Sequence, residues 1–173
     1  MSHFTPTIGP REGFSMVGLS IRTTVQANIE HGAIKRLEAT FFKRSIDIPN
    51  RIGTAKILLQ IYPSGGFFND RTTYTCILGC IVENLDTLPE GMVGYPVPAG
   101  RYAKVTHVGS EVWINRTYSF IYRHWLPRKQ RIHPPFSYEV WDRRYLPGQA
   151  QSEIDIYIPL AESYEKPARR RYT

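Results

Sequence analysis

Apolar and polar residues alternate along several short runs of the chain, and this two-residue period predicts β-strands. The first run, FSMVGLSIRT, places Val17, Leu19 and Ile21 on one side. Residues 31–49 then have apolar positions at helical spacing, and the strand-like runs AKILLQIYP and TYTCILGCIVEN follow. The order β-α-β-β is therefore predicted for residues 12–85.

The same order recurs after a connector at residues 86–99 that is rich in glycine and proline. The run GRYAKVTHVG predicts a strand, and SEVWINRTYSFIYRHWLP predicts a helix with Ser110 as its N-cap and Pro127 at its end. FSYEVWD and SEIDIYIPL predict two more strands, which completes a second β-α-β-β unit over residues 100–160. We therefore expect one α+β domain built from two similar units, followed by a basic tail at residues 161–173.

The alternation also divides the strand side chains between the two faces of the sheet. In SEIDIYIPL the three isoleucines form one set, which we expect to pack under a helix, so that Asp155 and Tyr157 point the other way. By the same reasoning Tyr138 and Val140 are placed on the helix side of the neighbouring run. The face that the helices leave open is then predicted to collect Tyr62, Glu139, Trp141, Asp155 and Tyr157.

Glu139 is the most informative of these residues, because it stands in a run of aromatic and β-branched side chains. A buried carboxylate without a partner is strongly unfavourable. One interpretation is a ligand-binding carboxylate that a bound cation neutralises, with aromatic walls adding cation–π attraction. The alternatives are a solvated strand residue, or an ion pair with Arg143, Arg144 or Arg101 across the sheet.

Aromatic residues make up 13% of the chain, an excess that is typical of aromatic-lined pockets and interfaces. In the second predicted helix, Tyr118 and Tyr122 lie on the apolar stripe and are expected in the core, with hydroxyls within reach of a groove. Trp113 lies off the stripe and is interpreted as a groove wall, with a surface position as the alternative. The candidate ligand-binding residues are therefore Glu139, Trp141, Tyr157, Tyr62, Trp113, Asp155 and Tyr118. For Trp141, Tyr157 and Tyr62 the alternative is ordinary packing between the two units.

Composition and charge narrow the classes of partner. The chain is 42% hydrophobic and 21% charged, as globular proteins are, and its formal net charge is +7. The sequence shows neither a helix-turn-helix pattern nor a zinc finger, so nucleic acid is not predicted as a partner. The tail KPARRRYT is interpreted as a solvated, mobile end.

The sequence predicts neither a membrane span nor a metal site. Its apolar runs are shorter than a signal peptide or the roughly 18 residues of a membrane span require, so we expect a cytoplasmic protein. Cys76 and Cys80 lie four residues apart in one predicted strand, too far apart for a disulfide. Two cysteines without histidines at ligand spacing do not predict a metal site, and we expect no cofactor.

Four motifs of the second half resemble one protein family when they are taken in order: VPAGRYAKVTHVG, a helix ending in HWLP, PFSYEVWD and SEIDIYIPL. They are similar to the GyrI-like, or AraC-type, effector-binding domains, which include stand-alone small-molecule-binding proteins and integron cassette products. The resemblance implies two β-α-β-β units related by a pseudo-two-fold axis, with a ligand groove between them. It also implies that Glu139 lies in that groove among aromatic residues, and that Tyr157 is the tyrosine of the terminal motif.

Three functions are compatible with this resemblance. The first is a non-catalytic protein that binds a hydrophobic, cationic small molecule, with a link to drug sensing or transcriptional regulation. The second is a hydrolase of reactive, cyclopropanoid-type electrophiles, in which Glu139 acts as general base with Tyr157 or Tyr122. The third is a protein-interaction module of the gyrase-inhibiting kind. A homodimer is a further open alternative.

Overall fold

In the part of the chain that the structure describes, eight antiparallel strands form one sheet. The structure is a computed structural model, and it describes residues 5–64, 68–129 and 134–160. The predicted basic tail, residues 161–173, lies outside the described residues. The strands are β1 (Thr7–Arg11), β2 (Phe14–Thr23), β3 (Arg51–Ile61), β4 (Tyr74–Val82), β5 (Val93–Val97), β6 (Gly100–Val108), β7 (Phe136–Trp141) and β8 (Glu153–Pro159).

The helices lie between the first and second strands of each unit. The first unit has α1 (Val25–His31) and α2 (Ala33–Arg44), which ends in a short 3-10 turn. The second unit has α3 (Ile114–Ser119), which continues as a π-helical stretch, Phe120–Trp125, and then as α4 (Leu126–Lys129). In the described part of the chain, every helix is too short or too polar to cross a membrane.

The strand order shows how the two units join. The order across the sheet is β1-β6-β8-β7-β3-β4-β2-β5. Outward from the central pair β3–β7, the strands on each side are the second, the third and then the first strand of that unit. The sheet therefore has a pseudo-two-fold arrangement about its centre, and the prediction of an α+β fold with two β-α-β-β units is confirmed.

Three elements were not predicted from the sequence: β1, α1 and β5. The edge strands β1 and β5 pair with β6 and β2, respectively. Helix α1 begins after Thr24, whose hydroxyl accepts a hydrogen bond from the backbone N–H of Ala27 at 3.0 Å, and it ends at Gly32. Gly32 has a φ of 62°, a left-handed conformation that favours glycine.

The second helical segment also runs further than predicted. Ser110 caps its first turn as expected, but the helical backbone passes through Pro127 and ends at Lys129. Pro127 is the second residue of α4, directly after the π-helical stretch, and as a proline it has no N–H to donate to the preceding turn. The predicted end at Pro127 is therefore wrong, because the helix extends beyond this residue.

Both faces of the sheet carry a hydrophobic core. On the helix-covered face, Leu58, Leu78 and Ile156 pack with the helix residues Phe41 and Ile121. The opposite face has a second buried cluster, which the curled sheet encloses: Met16, Ile57, Leu59, Ile77, Val97, Tyr102, Phe136, Tyr138 and Tyr157. Cys76 and Cys80 lie in the first core and are both free thiols.

The face prediction is wrong for Glu139, Trp141 and Tyr62, which lie on the helix-covered face, and for Tyr138 and Val140, which lie on the opposite face. In β7 and β8, Glu139 pairs with Ile156, whereas Tyr138 pairs with Tyr157. Directly opposed residues of an antiparallel pair project to the same face, so Glu139 lies on the helix-covered face with the isoleucines. Asp155 and Tyr157 lie on the other face. The alternation within each strand was predicted correctly. Because both faces of the sheet are apolar, however, composition could not show which side of β7 shares a face with which side of β8.

Two glycines bring β2 and β4 unusually close together. Gly18 and Gly79 are directly opposed in the register of this pair. A Cβ on Gly18 would overlap the carbonyl group of Leu78, and a Cβ on Gly79 would overlap that of Val17. Because these neighbours are backbone atoms, no side-chain rotation could make room. The absence of side chains at both positions therefore permits this approach of the two strands.

Candidate functional site

A cavity of about 690 Å³ opens on the helix-covered face, where the two units meet. Its floor is formed by buried residues of the sheet, including Gln60 on β3 and Glu139 on β7. One wall comes from α1, the start of α2 and residues 68–74, and the other from α3 and the π-helical stretch. The lining residues are Val25, Asn28, Ile34, Gln60, Tyr62, Phe68, Asn69, Asp70, Arg71, Tyr74, Ile114, Asn115, Tyr118, Ser119, Tyr122, Arg123 and Glu139.

The carboxylate of Glu139 is held in place by three hydrogen bonds. Its side chain is 3% exposed, and Oε1 accepts from the hydroxyl of Tyr118 at 2.6 Å. Oε2 accepts from the indole N–H of Trp141 at 2.7 Å. The amide of Gln60 donates to Oε1 at 3.2 Å and to the Tyr118 oxygen at 2.7 Å. All three donors are neutral groups, so they orient the carboxylate without neutralising its charge.

No cation of the described residues forms an ion pair with Glu139. Arg144, one of the partners proposed from the sequence, instead pairs with Asp142, Glu153 and Asp155. The solvated alternative is also excluded, because the residue is buried. Glu139 is therefore a buried carboxylate that hydrogen bonds position at a cavity and that no described side chain neutralises.

A second set of hydroxyl groups continues along the floor. The Tyr62 hydroxyl is 2.7 Å from the Ser137 hydroxyl and 3.1 Å from the Tyr122 hydroxyl. The rings of Tyr122 and Tyr118 are stacked, with centroids 6.0 Å apart and an interplanar angle of 14°. The cavity thus combines aromatic surfaces with a connected series of hydroxyl groups beside the carboxylate.

Burial controls the ionisation of these groups. Desolvation raises the pKa of Glu139, and the hydrogen bonds from Tyr118 and Trp141 oppose that shift. Desolvation also raises the pKa of Tyr122 to about 12 and holds the pKa values of Tyr62 and Tyr118 well above their usual range. The tyrosines therefore remain protonated donors, and Glu139 is the group whose charge can change.

The raised pKa of Glu139 predicts a pH-dependent stability difference between the wild type and Glu139→Gln. A raised folded-state pKa means that the folded protein keeps a proton that the unfolded chain releases above about pH 4.3. The stabilising contribution of this proton is full below that pH and is lost as pH rises through the folded-state pKa. We expect calorimetric melting temperatures to shift increasingly in favour of Glu139→Gln as pH rises. A difference that is constant across pH would contradict this.

The structure brings together only part of the predicted site. Glu139, Tyr62 and Tyr118 line the cavity, and Trp141 lies behind the carboxylate, 6% exposed, with its indole 4.8 Å from the ring of Tyr145. Tyr122 lines the cavity and is thus on the same side as Glu139.

Three predicted residues lie elsewhere. Tyr157 is on the opposite face, with the Arg11 guanidinium 4.1 Å from its ring centroid, so it is not placed to assist Glu139 in hydrolysis. Asp155 is also on that face, 2.6 Å from Arg144. Trp113 is 53% exposed and packs against the guanidinium of Arg116, as the alternative of a surface aromatic predicts.

The sequence interpretation missed Gln60 and the wall formed by α1 and residues 68–74. Gln60 had a usable signal, since it is an amide in an otherwise apolar strand. Helix α1 had only its cap residues as a signal, because it has seven residues and none of them is buried. Residues 68–72 were predicted as part of a turn and Tyr74 as part of a strand, and their position beside the cavity depends on the tertiary fold.

Two β-α-β-β units with an acidic, aromatic cavity at their junction are the arrangement of an effector-binding domain. The chain belongs to the Cass2 family of integron-associated effector binding proteins, whose model matches residues 7–160. The family resemblance drawn from the four sequence motifs is thereby confirmed.

Relatives and solved structures agree with this assignment. The transcriptional regulator BrlR of Pseudomonas aeruginosa is 37% identical over 87 residues, which cover 49% of this chain and 32% of BrlR. The match therefore spans about a third of that relative's length. An integron cassette protein of Vibrio cholerae is 18% identical with a TM-score of 0.63, covering 90% of this chain and 96% of that one. SAV2435 bound to tetraphenylphosphonium is 10% identical with a TM-score of 0.68, covering 90% and 93%. Both of these solved structures have the same fold as this chain.

Proposed function

We propose that this protein binds hydrophobic, cationic small molecules in the cavity between its two units, with Glu139 as the countercharge. The observation that carries the proposal is the position of Glu139: a carboxylate, 3% exposed, at the floor of the cavity with no cationic partner among the described residues. An ionised group in such a place is unfavourable on its own. A bound cation would relieve that cost, which gives a cationic ligand an advantage over a neutral one.

The aromatic lining supports the same ligand class. Tyr62, Tyr118 and Tyr122 present rings and hydroxyls around the carboxylate, and Phe68 packs edge-on against Tyr62 with centroids 4.9 Å apart. Aromatic faces attract cations by about 0.5 to 2 kcal/mol at each good contact. A volume of about 690 Å³ is in the range of cavities that hold drug-sized ligands.

The comparisons supply two further supports. SAV2435, which has the same fold, is bound to tetraphenylphosphonium, a hydrophobic cation. BrlR is a transcriptional regulator, which favours ligand sensing over turnover as the use of this cavity. We therefore propose a non-catalytic role linked to the detection of such compounds.

Ligand charge provides a direct test. Tetraphenylphosphonium and tetraphenylborate have nearly the same shape and opposite charge. We expect the wild-type protein to bind the phosphonium and to discriminate against the borate by about 100-fold or more, because the borate would place a second negative charge beside Glu139. Isothermal titration calorimetry at one ionic strength measures both affinities. Similar affinities for the two ions would contradict the proposal.

A further inference from the structure

The mouth of the cavity differs in charge from its floor. Exposed residues form the mouth, and they include the cations Arg71 and Arg123 together with the carboxylate of Asp70. Arg71 lies in the turn at residues 70–72 on the first unit's side, whereas Arg123 belongs to the π-helical stretch on the second unit's side. The mouth thus carries more positive than negative charge, and its two guanidinium groups come from opposite walls.

These guanidinium groups are available to a ligand. Neither the Arg71 nor the Arg123 side chain forms an ion pair or a hydrogen bond with any described residue. By contrast, Arg116 on the same helical segment as Arg123 packs over the ring of Trp113, 4.1 Å from the centroid. A cation at the mouth repels a purely cationic ligand as it enters, and it attracts an anionic group that stays near the opening.

We infer that the preferred ligand is zwitterionic: its cationic, aromatic part lies against Glu139, and an anionic group such as a carboxylate lies at the mouth between Arg71 and Arg123. This inference rests on the proposed function and adds a second charge to the ligand. The lining residues contain two carboxylates and two guanidiniums, so the cavity is formally balanced when Glu139 is ionised. Such a distribution, negative at the floor and positive at the rim, complements a dipolar molecule better than a simple cation.

The polar side chains near the mouth are consistent with a charged end group. Asn69, Asn115 and Ser119 line the same region, and each can donate a hydrogen bond to a carboxylate. The two arginines can bind a carboxylate in a bidentate manner, which fixes its direction as well as its charge. The ligand would then be oriented by both of its ends.

Rhodamine 6G and rhodamine 19 test this inference, since they share one cationic xanthene ring and differ in that an ester in the first is a free carboxylate in the second. We expect wild-type protein to prefer rhodamine 19. The double variant Arg71→Gln/Arg123→Gln should lose about fivefold to tenfold in affinity for rhodamine 19 relative to rhodamine 6G, as expected for two partly exposed ion pairs. Fluorescence anisotropy titrations measure both dissociation constants.

Two control variants test whether the change in affinity ratio arises from the charges at the mouth of the cavity. Arg116→Gln removes the same charge from the same helical segment outside the cavity, and it should leave the ratio of the two affinities unchanged. Glu139→Gln should weaken both dyes while keeping that ratio. An unchanged ratio in the double variant, with both dyes still dependent on Glu139, overturns the zwitterion inference alone. If neither dye binds to the wild type, both the proposed function and the inference are contradicted.

Discussion

Replacing Glu139 by glutamine is expected to weaken tetraphenylphosphonium binding by about 30-fold to 100-fold, or about 2 to 3 kcal/mol. This ligand has no hydrogen-bonding group, so its specific attraction to the floor of the cavity is electrostatic. The glutamine keeps the size of the side chain and an acceptor for Tyr118 or Trp141, and the substitution therefore removes mainly the charge. A neutral analogue, triphenylphosphine oxide, should change by less than about threefold. Intrinsic tryptophan fluorescence can follow both titrations.

Asp155→Asn is the matched control for this experiment. Asp155 is also a buried carboxylate on a central strand, but it lies on the opposite face and pairs with Arg144 and Lys104. Its substitution should lower stability and leave the affinity of the folded protein for tetraphenylphosphonium unchanged. If Glu139→Gln bound the phosphonium as tightly as wild type, or if Asp155→Asn lost affinity to the same degree, Glu139 would not be the countercharge.

Replacing Gly79 by alanine is expected to lower the free energy of unfolding by about 3 kcal/mol or more. The added methyl group would meet the carbonyl of Val17 and the Cα of Gly18, and relief would require β2 and β4 to separate. That separation would disturb both cores, because the sheet carries one on each face. Urea denaturation followed by circular dichroism measures the change.

Gly9→Ala provides the comparison for this glycine effect. Gly9 also lies in a strand, β1, but among the described residues, its two chain neighbours aside, no atom lies within 4 Å of where its Cβ would be. We expect the free energy of unfolding of the Gly9→Ala protein to stay within about 0.5 kcal/mol of that of the wild type. A Gly79→Ala protein as stable as Gly9→Ala would show that the close approach of β2 and β4 is not needed for the fold.

The fold was largely predictable because the six strands of the two units have clear alternation or continuous apolar runs. The two strands that were missed, β1 and β5, contain Pro10 and Pro96, which read as turn signals. Their positions explain this, since both are the outer edges of the sheet and edge strands tolerate a proline that a central strand would not. Local pattern alone could not distinguish such a strand from a loop.

The candidate site was predictable in its centre and not in its surroundings. Glu139 could be identified from the sequence because a carboxylate is unusual in a strand of aromatic and β-branched residues. Assigning it to a face required the register between β7 and β8, which depends on tertiary packing when both faces are apolar. For this reason Tyr157 and Asp155 were grouped with Glu139 although they lie on the other side of the sheet.

The acid and the walls of the cavity are carried by different kinds of element, and this affects how the protein can evolve. Glu139 stands on a strand that is paired on both sides, so its position is fixed by the centre of the sheet. Most of the walls come from helix surfaces and from residues 68–72, where a substitution meets few constraints from strand pairing. Selection can therefore change the shape and rim charge of the cavity while the countercharge stays in place. A lineage of such domains could acquire new ligands by changes in the walls alone.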